Sequence, residues 1–285
     1  MSTVSYSRQM DFVDPMAARN LHANILGLGT VGSHAAVELA RLGVGSFYLV
    51  DGDVVEDVNL PSQAYTTADV GSTKAAACAA AVKAVSDHAT ISTEQKMLAG
   101  GEVFAPGVVI LAVDDMDVRK QIVELSLAWR PSYPLVIDGR MAGQNLQLFA
   151  FNPSDQAQLD RWQSFWFPAE EARQVACGGR SVSYIGALVG GLIASHVQKQ
   201  LKGEPVPFLC SLDLSTLMLQ KFADLLAALP EIDPREQAVI RLRYGLDGPP
   251  HSLLEVGEEL GVTRERVRQL EGRAIKHLRE ATPGA

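Results

Sequence analysis

The sequence predicts an open α/β sheet with flanking helices, followed by a small all-α domain. Two observations lead to this prediction. Short apolar runs alternate with helical patterns from His22 to Asp138, which is typical of a parallel sheet with crossover helices. After Gln220 the sequence changes to short charged helical segments without a further strand pattern. We therefore expect two domains, residues 1–220 and residues 221–285.

The elements of the first domain follow from the spacing of apolar residues and from the turn residues between them. The predicted strands are His22–Leu26, Ser46–Val50, Val108–Val113, Leu135–Asp138, an alternating and antiparallel Leu146–Asn152, and a closing Ser211–Leu219. The predicted helices are Val31–Leu42, Lys74–Val85, Met116–Leu127 and Tyr184–Leu201. Residues 153–180 have no clean periodicity, which predicts a long loop or crossover segment.

Composition and charge exclude several classes of protein. The 285 residues carry a net charge of −8, which argues against indiscriminate binding of nucleic acid. The longest apolar stretch, Val182–Ala194, is shorter than the roughly 20 residues that span a bilayer. The start of the chain has no pattern of a signal peptide. The three cysteines, Cys78, Cys177 and Cys210, form no CxxC pair, so we expect neither a disulfide framework nor zinc, and a reducing, cytoplasmic location.

A glycine motif lies between the first strand and the first long helix. Gly27, Gly29 and Gly32 form the pattern GxGxxG. The first glycine permits the tight turn, the second lets the backbone approach a phosphate, and the third lets the helix pack on the strand. Asp51 lies at the end of the next strand, where its carboxylate can accept a hydrogen bond from a ribose hydroxyl. The motif predicts nucleotide binding, although a dehydrogenase or a purely structural turn would show the same glycines.

The residues that follow favour ATP over a dinucleotide. Asp53 and Lys74 lie downstream of Asp51, and Asp114 and Asp115 follow the strand Val108–Val113. Open α/β sheets bind ligands at the carboxyl ends of their strands. An amine for the phosphates and a carboxylate for Mg²⁺ suit a metal-bound ATP, whereas a dehydrogenase needs neither.

Several ordered motifs between Ser5 and Leu219 resemble the ThiF/MoeB/HesA family, relatives of the ubiquitin-activating enzymes with a Rossmann-like sheet. The matching pieces are YSRQ at Tyr6–Gln9, GLGTVG, DGD with Asn59, Leu60 and Gln63, Lys74, and the pattern DDxxxR at Asp114–Arg119. The resemblance implies ATP-dependent adenylation of a C-terminal carboxylate, usually that of a ubiquitin-like or sulfur-carrier protein. It also implies a homodimer.

The resemblance assigns roles to individual residues. Asp51 would hold the ribose, and Asn59, Gln63 and Lys74 would line the phosphates. Asp114 would hold Mg²⁺, and Arg8 would reach the ATP of the partner subunit. The candidate catalytic residues are Arg8, Lys74, Asp114 and Cys177. The candidate cofactor-binding residues are Gly27, Gly29, Gly32, Asp51, Asp53, Asn59, Gln63, Lys74 and Asp115.

Three departures from the family pattern bear on turnover. The family usually has arginine in NLxRQ, where this chain has Ser62. Arg140 could supply the missing cation, or it could be an ordinary surface arginine. The zinc-binding CxxC pairs of the family are absent from the sequence. Cys177, flanked by Arg173 and Arg180, is a candidate acyl acceptor, with a structural cysteine as the alternative. Cys78 and Cys210 are expected in the core.

The last domain is expected to contain a helix-turn-helix. Ser252 is the predicted N-cap of a helix that ends at Leu260, Gly261 supplies the turn, and Thr263 caps the second helix. The apolar packing face consists of Val256, Leu260, Val262, Val267, Leu270 and Ile275. From Thr263 to Arg279 there are six basic residues against two acidic ones, a net charge of +4, which is typical of a helix that enters the major groove or of a solvated surface helix.

The motifs LRYGLDG and VTRERVRQLE closely resemble the C-terminal region of primary bacterial sigma factors, which reads the promoter −35 element. The resemblance implies that Arg264, Glu265 and Gln269 contact bases. It implies that Arg266, Arg268 and Arg273 hold phosphates or contact partner proteins. Double-stranded DNA is the expected partner, with RNA polymerase contact alone as the alternative. The sequence has no counterpart of the sigma region that opens promoters.

The sequence is consistent with two main functions. The first is a bacterial or phage-like adenylyltransferase that carries a DNA-binding domain. The second is a transcriptional regulator whose α/β domain senses a nucleotide without turnover, which Ser62 favours. The set of Asp51, Lys74 and Asp114 favours the enzyme. A dehydrogenase is a distant third, and NAD(H) binding that excludes ATP would support it.

Overall fold

The computed structural model describes residues 5–168, 183–214, 218–219, 229, 232–244 and 251–281. The strands are β1 His22–Leu26, β2 Ser46–Val50, β3 Thr90–Glu94, β4 Val108–Leu111, β5 Val136–Ala142, β6 Asn145–Phe151, β7 Leu209–Asp213 and β8 Met218–Leu219. The helices are α1 Pro15–Asn20, α2 Thr30–Leu42, α3 Lys74–Val85, α4 Met116–Gln121, α5 Gln156–Ser164, α6 Ser183–Leu201, α7 Pro234–Tyr244, α8 Leu253–Leu260 and α9 Arg264–Ala281.

The strands form a mixed sheet in the order β3-β2-β1-β4-β5-β6-β7-β8. Strands β1 to β5 pair in parallel with their neighbours, and β6 runs antiparallel to β5. In the register of β4 and β5, Leu111 lies opposite Asp138. The carboxyl ends of the parallel strands β1, β2, β4 and β5 therefore lie at one edge of the sheet. This is the edge where an open α/β sheet is expected to bind its ligand.

The centre of the sheet is buried on both sides. All four residues of β4 are buried, as are the last four residues of β1. Strands covered by helices on both faces have continuous apolar runs, which explains why the sequence predicts them well. This rigid centre holds the turn between β1 and α2 in place.

The structure corrects the predicted elements at four places. Strand β3 was not expected, because TISTE is polar and four of its five residues are exposed at the sheet edge. Helix α5 lies in a segment expected to be a loop. The predicted strand Ser211–Leu219 is instead the antiparallel pair β7 and β8. The predicted helix Met116–Leu127 ends as a π-helix from Ile122 to Leu127.

The C-terminal helices enclose two small apolar clusters. One contains Leu229, Ile232, Ile240, Ala274 and Leu278, and the other contains Val239, Val256, Val267 and Leu270. Helix α8 begins with a capping box of Ser252 and Glu255, and it ends at Gly261, whose φ of 65° is left-handed. The Oγ1 of Thr263 accepts a hydrogen bond from the N–H of Arg266 at 3.2 Å. The predicted helix-turn-helix and its caps are confirmed.

The chain divides into two compact units. One consists of Met1–Leu159 and Phe167–Ser211, and the other of Asp160–Trp166 and Leu212–Ala285. The predicted domain boundary between residues 220 and 221 stays a prediction. Among the described residues, no helix is both long enough and apolar enough to cross a bilayer.

Candidate nucleotide site and nucleic-acid interface

The three motif glycines occupy three different environments. Gly27 has a φ of 90°, and a Cβ there would lie 2.8 Å from the backbone of Ala112. A Cβ on Gly32 would lie 1.8 Å from the carbonyl oxygen of Gly27. A Cβ on Gly29 would meet no atom within 4 Å. Gly27 and Gly32 are thus required by close packing, whereas the backbone of Gly29 faces open space at the start of α2, where N–H groups can hold an anion.

Asp51 orders the turn from the end of β2. Its Oδ2 accepts a hydrogen bond from the N–H of Leu28 at 2.6 Å, and its Oδ1 accepts one from the N–H of Asp53 at 2.8 Å. The carboxylate is therefore fixed beside the glycine turn while it remains partly exposed. Each oxygen keeps a second lone pair, so binding of a ribose hydroxyl stays a prediction for Asp51.

Lys74 is the first residue of α3 and is 8% exposed. Its Nζ lies 2.8 Å from Oδ2 of Asp53, whose side chain is mostly exposed. The buried hydroxyl of Tyr65 donates to the carbonyl oxygen of Leu28 at 2.7 Å and lies 3.5 Å from that of Lys74. Asp53 thus serves as a partner of the lysine, and Tyr65 joins the glycine turn to α3. Sequence reasoning missed Tyr65, because a single tyrosine carries no motif.

The loop between β2 and α3 carries Asn59 and Gln63. The Oδ1 of Asn59 accepts a hydrogen bond from the N–H of Glu56 at 2.9 Å, which caps a short 3₁₀ turn. The Oε1 of Gln63 is buried without a hydrogen-bond partner among the described residues. The Oγ of Ser62 lies 3.4 Å from Oγ1 of Thr30 in the first turn of α2. The loop therefore lies against the open helix start, as a phosphate-binding loop requires.

The two acidic residues after β4 have different roles in the structure. Asp114 is exposed. Asp115 caps α4, because its Oδ1 accepts hydrogen bonds from the N–H groups of Asp117 at 2.8 Å and Val118 at 3.0 Å. No group of three or more metal-ligating side chains occurs among the described residues. A single carboxylate still suits Mg²⁺, which is usually held by one or two carboxylates together with substrate phosphates.

A buried ion cluster lies beside these acids. Asp138 on β5 contacts the guanidinium of Arg119 through Oδ1 and that of Arg140 through Oδ2, which is 2.7 Å from Nη2 and 2.9 Å from Nε. All three side chains are less than 10% exposed. The Arg140 guanidinium lies 4.4 Å from the ring centre of Phe149. The surface-arginine alternative for Arg140 is therefore wrong. Sequence reasoning missed Asp138 as a site residue, because an acid within an apolar strand was its only signal.

Arg8 is exposed in a short 3₁₀ helix, Ser7–Gln9. Its neighbours are attached to the end of α2, since the Tyr6 hydroxyl donates to the carbonyl oxygen of Ala40 at 3.3 Å and Gln9 Nε2 donates to that of Arg41 at 3.2 Å. The 13-residue helix α2 is about 18 Å long from its first to its last residue. Arg8 thus lies at the opposite end of α2 from the glycine turn of its own chain.

Cys78 is buried, as predicted, whereas Cys210 is only partly buried and not in the core. Burial raises the pKa of Cys78 to about 12. Burial also raises the pKa of Cys210. Both therefore remain thiols at neutral pH. Cys177, with Arg173 and Arg180, lies outside the described residues.

The exposed face of α9 contains the predicted DNA-contacting residues. The six residues Arg264, Glu265, Arg266, Arg268, Gln269 and Arg273 are all exposed. Hydrogen bonds connect several of these side chains along the helix. Glu265 accepts two from Arg268 at 3.0 and 3.1 Å, and Gln269 accepts one from Arg266 at 3.3 Å. Arg273 lies 4.0 Å from the buried Glu236. Base and phosphate contacts by the six residues stay predictions.

Two family models match the chain. Residues 6–228 match the ThiF family model, and residues 228–280 match the model of Sigma-70, region 4.

Curated relatives match the C-terminal part. RNA polymerase sigma factor SigA2 of Synechococcus elongatus is 56% identical over 57 residues, which is 20% of this chain and 18% of the relative. RNA polymerase sigma factor RpoD of Helicobacter pylori is 50% identical over 64 residues, which is 22% of this chain and 10% of the relative. The chain thus spans less than a fifth of the length of these two sigma factors.

Solved structures resemble the first unit in fold. The microcin C7 biosynthetic enzyme MccB in complex with N-formylated MccA has a TM-score of 0.59 and 16% identity, with 72% of this chain and 65% of that chain covered. Escherichia coli MccB with ATP has a TM-score of 0.56, 17% identity, and coverage of 72% and 64%. PaaA has a TM-score of 0.56, 20% identity, and coverage of 74% and 66%. At these identities the likeness shows the fold alone.

Proposed function

The chain belongs to the ThiF family, and from this premise we propose that its first unit binds ATP with Mg²⁺ and transfers AMP to a C-terminal carboxylate. One observation carries the proposal. The open backbone at Gly29, the buried Lys74 and the exposed Asp114 all lie at one edge of the sheet. An anion-binding helix start, a cation and a metal-binding carboxylate are what a triphosphate requires.

Each candidate residue has a distinct role in this proposal. The N–H groups at the start of α2 hold the phosphates, and Asp51 accepts a ribose hydroxyl. Lys74 exchanges Asp53 for a phosphate oxygen, which requires only a movement of its flexible side chain. Gln63, whose buried Oε1 has no partner among the described residues, and Asn59 line the phosphates from the loop. Asp114 holds Mg²⁺, which neutralises phosphate charge when bound.

The reaction joins two anions, so electrostatics govern its rate. An oxygen of the substrate carboxylate attacks the α-phosphorus, and a P–O bond forms. The bond from that phosphorus to the bridging oxygen breaks, and pyrophosphate leaves with the electron pair. The positive charge of Lys74 reduces the repulsion between the attacking carboxylate and the phosphates, and it stabilises the departing pyrophosphate. Correct positioning of the two reactants supplies much of the remaining acceleration.

We further propose that the active form is a homodimer in which Arg8 serves the partner's site. Arg8 lies near the end of α2, which is about 18 Å along the helix axis from the glycine turn of its own chain, so its side chain alone does not span the distance to the start of α2. An exposed arginine attached to the end of α2 is available to a second copy. The test is complementation, because a mixture of Arg8→Ala and Lys74→Ala chains should regain activity that neither variant has alone.

The substrate class is a peptide or small protein with a free C-terminus. Structures of the MccB neighbour contain ATP in one case and N-formylated MccA in another. A ubiquitin-like or sulfur-carrier protein is our candidate substrate, and Cys177 is the candidate acceptor of the activated acyl group. A reducing, cytoplasmic location suits a free thiol in this role.

ATP–pyrophosphate exchange tests the enzyme. The purified chain is incubated with ATP, labelled pyrophosphate and a carrier protein that ends in Gly-Gly. Label should enter ATP only in the presence of the carrier, and Asp114→Ala should reduce exchange at least about 100-fold, as loss of a key electrostatic group does. Asp117→Ala, an exposed acid in the same helix region, should leave exchange unchanged. No exchange, together with unchanged ATP binding by Asp114→Ala, would exclude this function.

A second candidate is a nucleotide sensor without turnover. Ser62 stands where the family usually has an arginine, and Lys74 already has an anionic partner in Asp53. These two observations would fit a site that binds ATP and does not activate a carboxylate. Bound but unconsumed ATP, after prolonged incubation with the carrier, would favour this alternative.

For the second unit we propose binding of double-stranded promoter DNA, with RNA polymerase as a protein partner. The proposal is supported by the match to Sigma-70, region 4 and by the exposure of all six predicted contact residues on α9. Arg264→Ala and Gln269→Ala should reduce discrimination between a −35-type sequence and a scrambled one. Unchanged discrimination in both variants would show that the helix does not read bases.

A further inference from the structure

Helix α2 contacts the candidate phosphate-binding loop through His34. The ring of His34 forms a hydrogen bond with the backbone of Ser62. A Cβ on Gly186 would lie 2.4 Å from Nε2 of His34 and 2.9 Å from the carbonyl oxygen of Ser62, so the ring nitrogen and this oxygen are neighbours. A ring N–H donates and a carbonyl oxygen accepts in such a pair. Burial, the largest cause, lowers the pKa of His34 below its usual value of 6.5. The ring is therefore a neutral N–H donor at neutral pH.

Hydrogen bonds connect the same loop internally and to α2 between Asn59 and Ala64. The N–H groups of Ser62 and Gln63 both donate to the carbonyl oxygen of Asn59, at 3.1 and 2.9 Å. The N–H of Ala64 donates to Oγ of Ser33 at 3.1 Å. A contact that holds the carbonyl of Ser62 in place therefore also helps to position Asn59 and Gln63, the two candidate phosphate ligands.

Helix α6 fixes His34 from the other side. A Cβ on Gly186 would lie 2.4 Å from Cδ2 and Nε2 of His34 and 2.9 Å from the carbonyl oxygen of Ser62. A Cβ on Gly190 would lie 2.8 Å from the backbone oxygen of His34 and 3.0 Å from Glu38, and it would not meet the ring. Gly186 therefore leaves room for both the ring and the loop carbonyl, whereas Gly190 serves only the close approach of the two helices.

We propose that His34 is a positioning residue for nucleotide binding. Through the carbonyl of Ser62 it holds Asn59 and Gln63 in the orientation that receives the phosphates, and α6 holds the ring in place at Gly186. The role rests on the proposed ATP binding of the first unit. In this role, residue 62 contributes to the site through its backbone carbonyl. A serine can therefore contribute there without a cationic side chain.

The test compares His34→Ala and His34→Gln with the parent chain. ATP affinity is measured by titration calorimetry in the presence of Mg²⁺. Loss of one neutral hydrogen bond should weaken ATP binding about fivefold, which corresponds to about 1 kcal/mol. Glutamine places an N–H donor at a reach similar to that of Nε2, so His34→Gln should recover most of the affinity. The pair Gly186→Ala and Gly190→Ala is the matched control, because both crowd α2 but only the first meets the ring and the loop.

A second measurement does not depend on ATP. Amide hydrogen exchange of Ser62, Gln63 and Ala64 in the nucleotide-free chain should accelerate in His34→Ala and Gly186→Ala, and not in Gly190→Ala. Unchanged exchange at these amides in His34→Ala would overturn the proposal. Equal losses of ATP affinity in Gly186→Ala and Gly190→Ala would also overturn it, because packing alone would then account for the effect. A parent chain that binds no ATP would contradict the proposed function, and the exchange data would still decide the role of His34.

Discussion

The buried cluster of Arg119, Asp138 and Arg140 gives a sharp prediction about stability. Asp138 is fully buried and contacts both guanidinium groups. The substitution Asp138→Asn keeps the shape of the side chain and removes its charge. Two buried cations then lose their shared carboxylate. Removal of one partner from a buried ion pair costs about 3–5 kcal/mol, because an uncompensated charge stays behind in a medium that solvates it poorly.

Thermal and urea unfolding measure this cost. In a unit of roughly 200 residues, 1 kcal/mol shifts Tm by about 2–4 °C, so we expect a decrease of about 6–20 °C. Asp114→Asn is the matched control, since it removes an exposed carboxylate from the same sheet edge and should change stability by less than about 0.5 kcal/mol. A decrease in Tm of less than about 2 °C for Asp138→Asn would refute the reasoning, because the arginines would then be compensated without Asp138.

Three further predictions concern single contacts. Gly27→Ala should destabilise the first unit by about 2–4 kcal/mol, because the left-handed φ and the contact with Ala112 both oppose a Cβ. Gly71→Ala, with a φ of 87° and open space, should cost less in the same urea titration. Ser252→Ala should destabilise the C-terminal unit by about 1 kcal/mol by removing a helix cap. The cap lowers the pKa of Glu255, so its contribution is present above pH 4.5 and is lost as the pH falls through the lowered pKa; unfolding of the variant should depend less on pH in that range. Arg268→Ala should reduce the salt dependence of DNA binding by about one unit of slope, measured by fluorescence anisotropy. Glu265→Ala should strengthen non-specific DNA binding, because it removes the carboxylate that pairs with Arg268. Weaker binding of Glu265→Ala to every DNA sequence would contradict this expectation.

The parts of the fold that the sequence predicts well are those where local pattern and burial agree. Strands β1 and β4 are continuous apolar runs in the buried centre, and α3 starts and ends as predicted, between Lys74 and Val85. The N-cap of α8 at Ser252 and the turn at Gly261 follow directly from the local chemistry of helix ends. Such features depend on a few neighbouring residues and therefore can be read from a single sequence.

The features that the sequence does not predict depend on distant residues. Strand β3 is polar, and its pairing with β2 at the sheet edge determines its conformation. Arg119, which contacts Asp138 from α4, is 19 residues away in sequence, and the partner of Lys74 is 21 residues away. Arg140 is buried because Phe149 and Asp138 surround it, and neither neighbour makes a recognisable motif with it. No periodicity reports such contacts, since they form only when the sheet is assembled.

The ion pair of Lys74 with Asp53 has a consequence for the choice of ligand. The ammonium group is paired with Asp53, so an incoming ligand must compete with a carboxylate that is attached to the same fold and is therefore at high local concentration. A singly charged anion gains little from this exchange, because it replaces one charge with an equal one. In the proposed complex a triphosphate would bring several charges and would also reach the helix start and Mg²⁺. If the proposed ATP binding is correct, the pair would therefore favour ligands of high charge, because a monoanion would displace Asp53 less readily than a polyphosphate would.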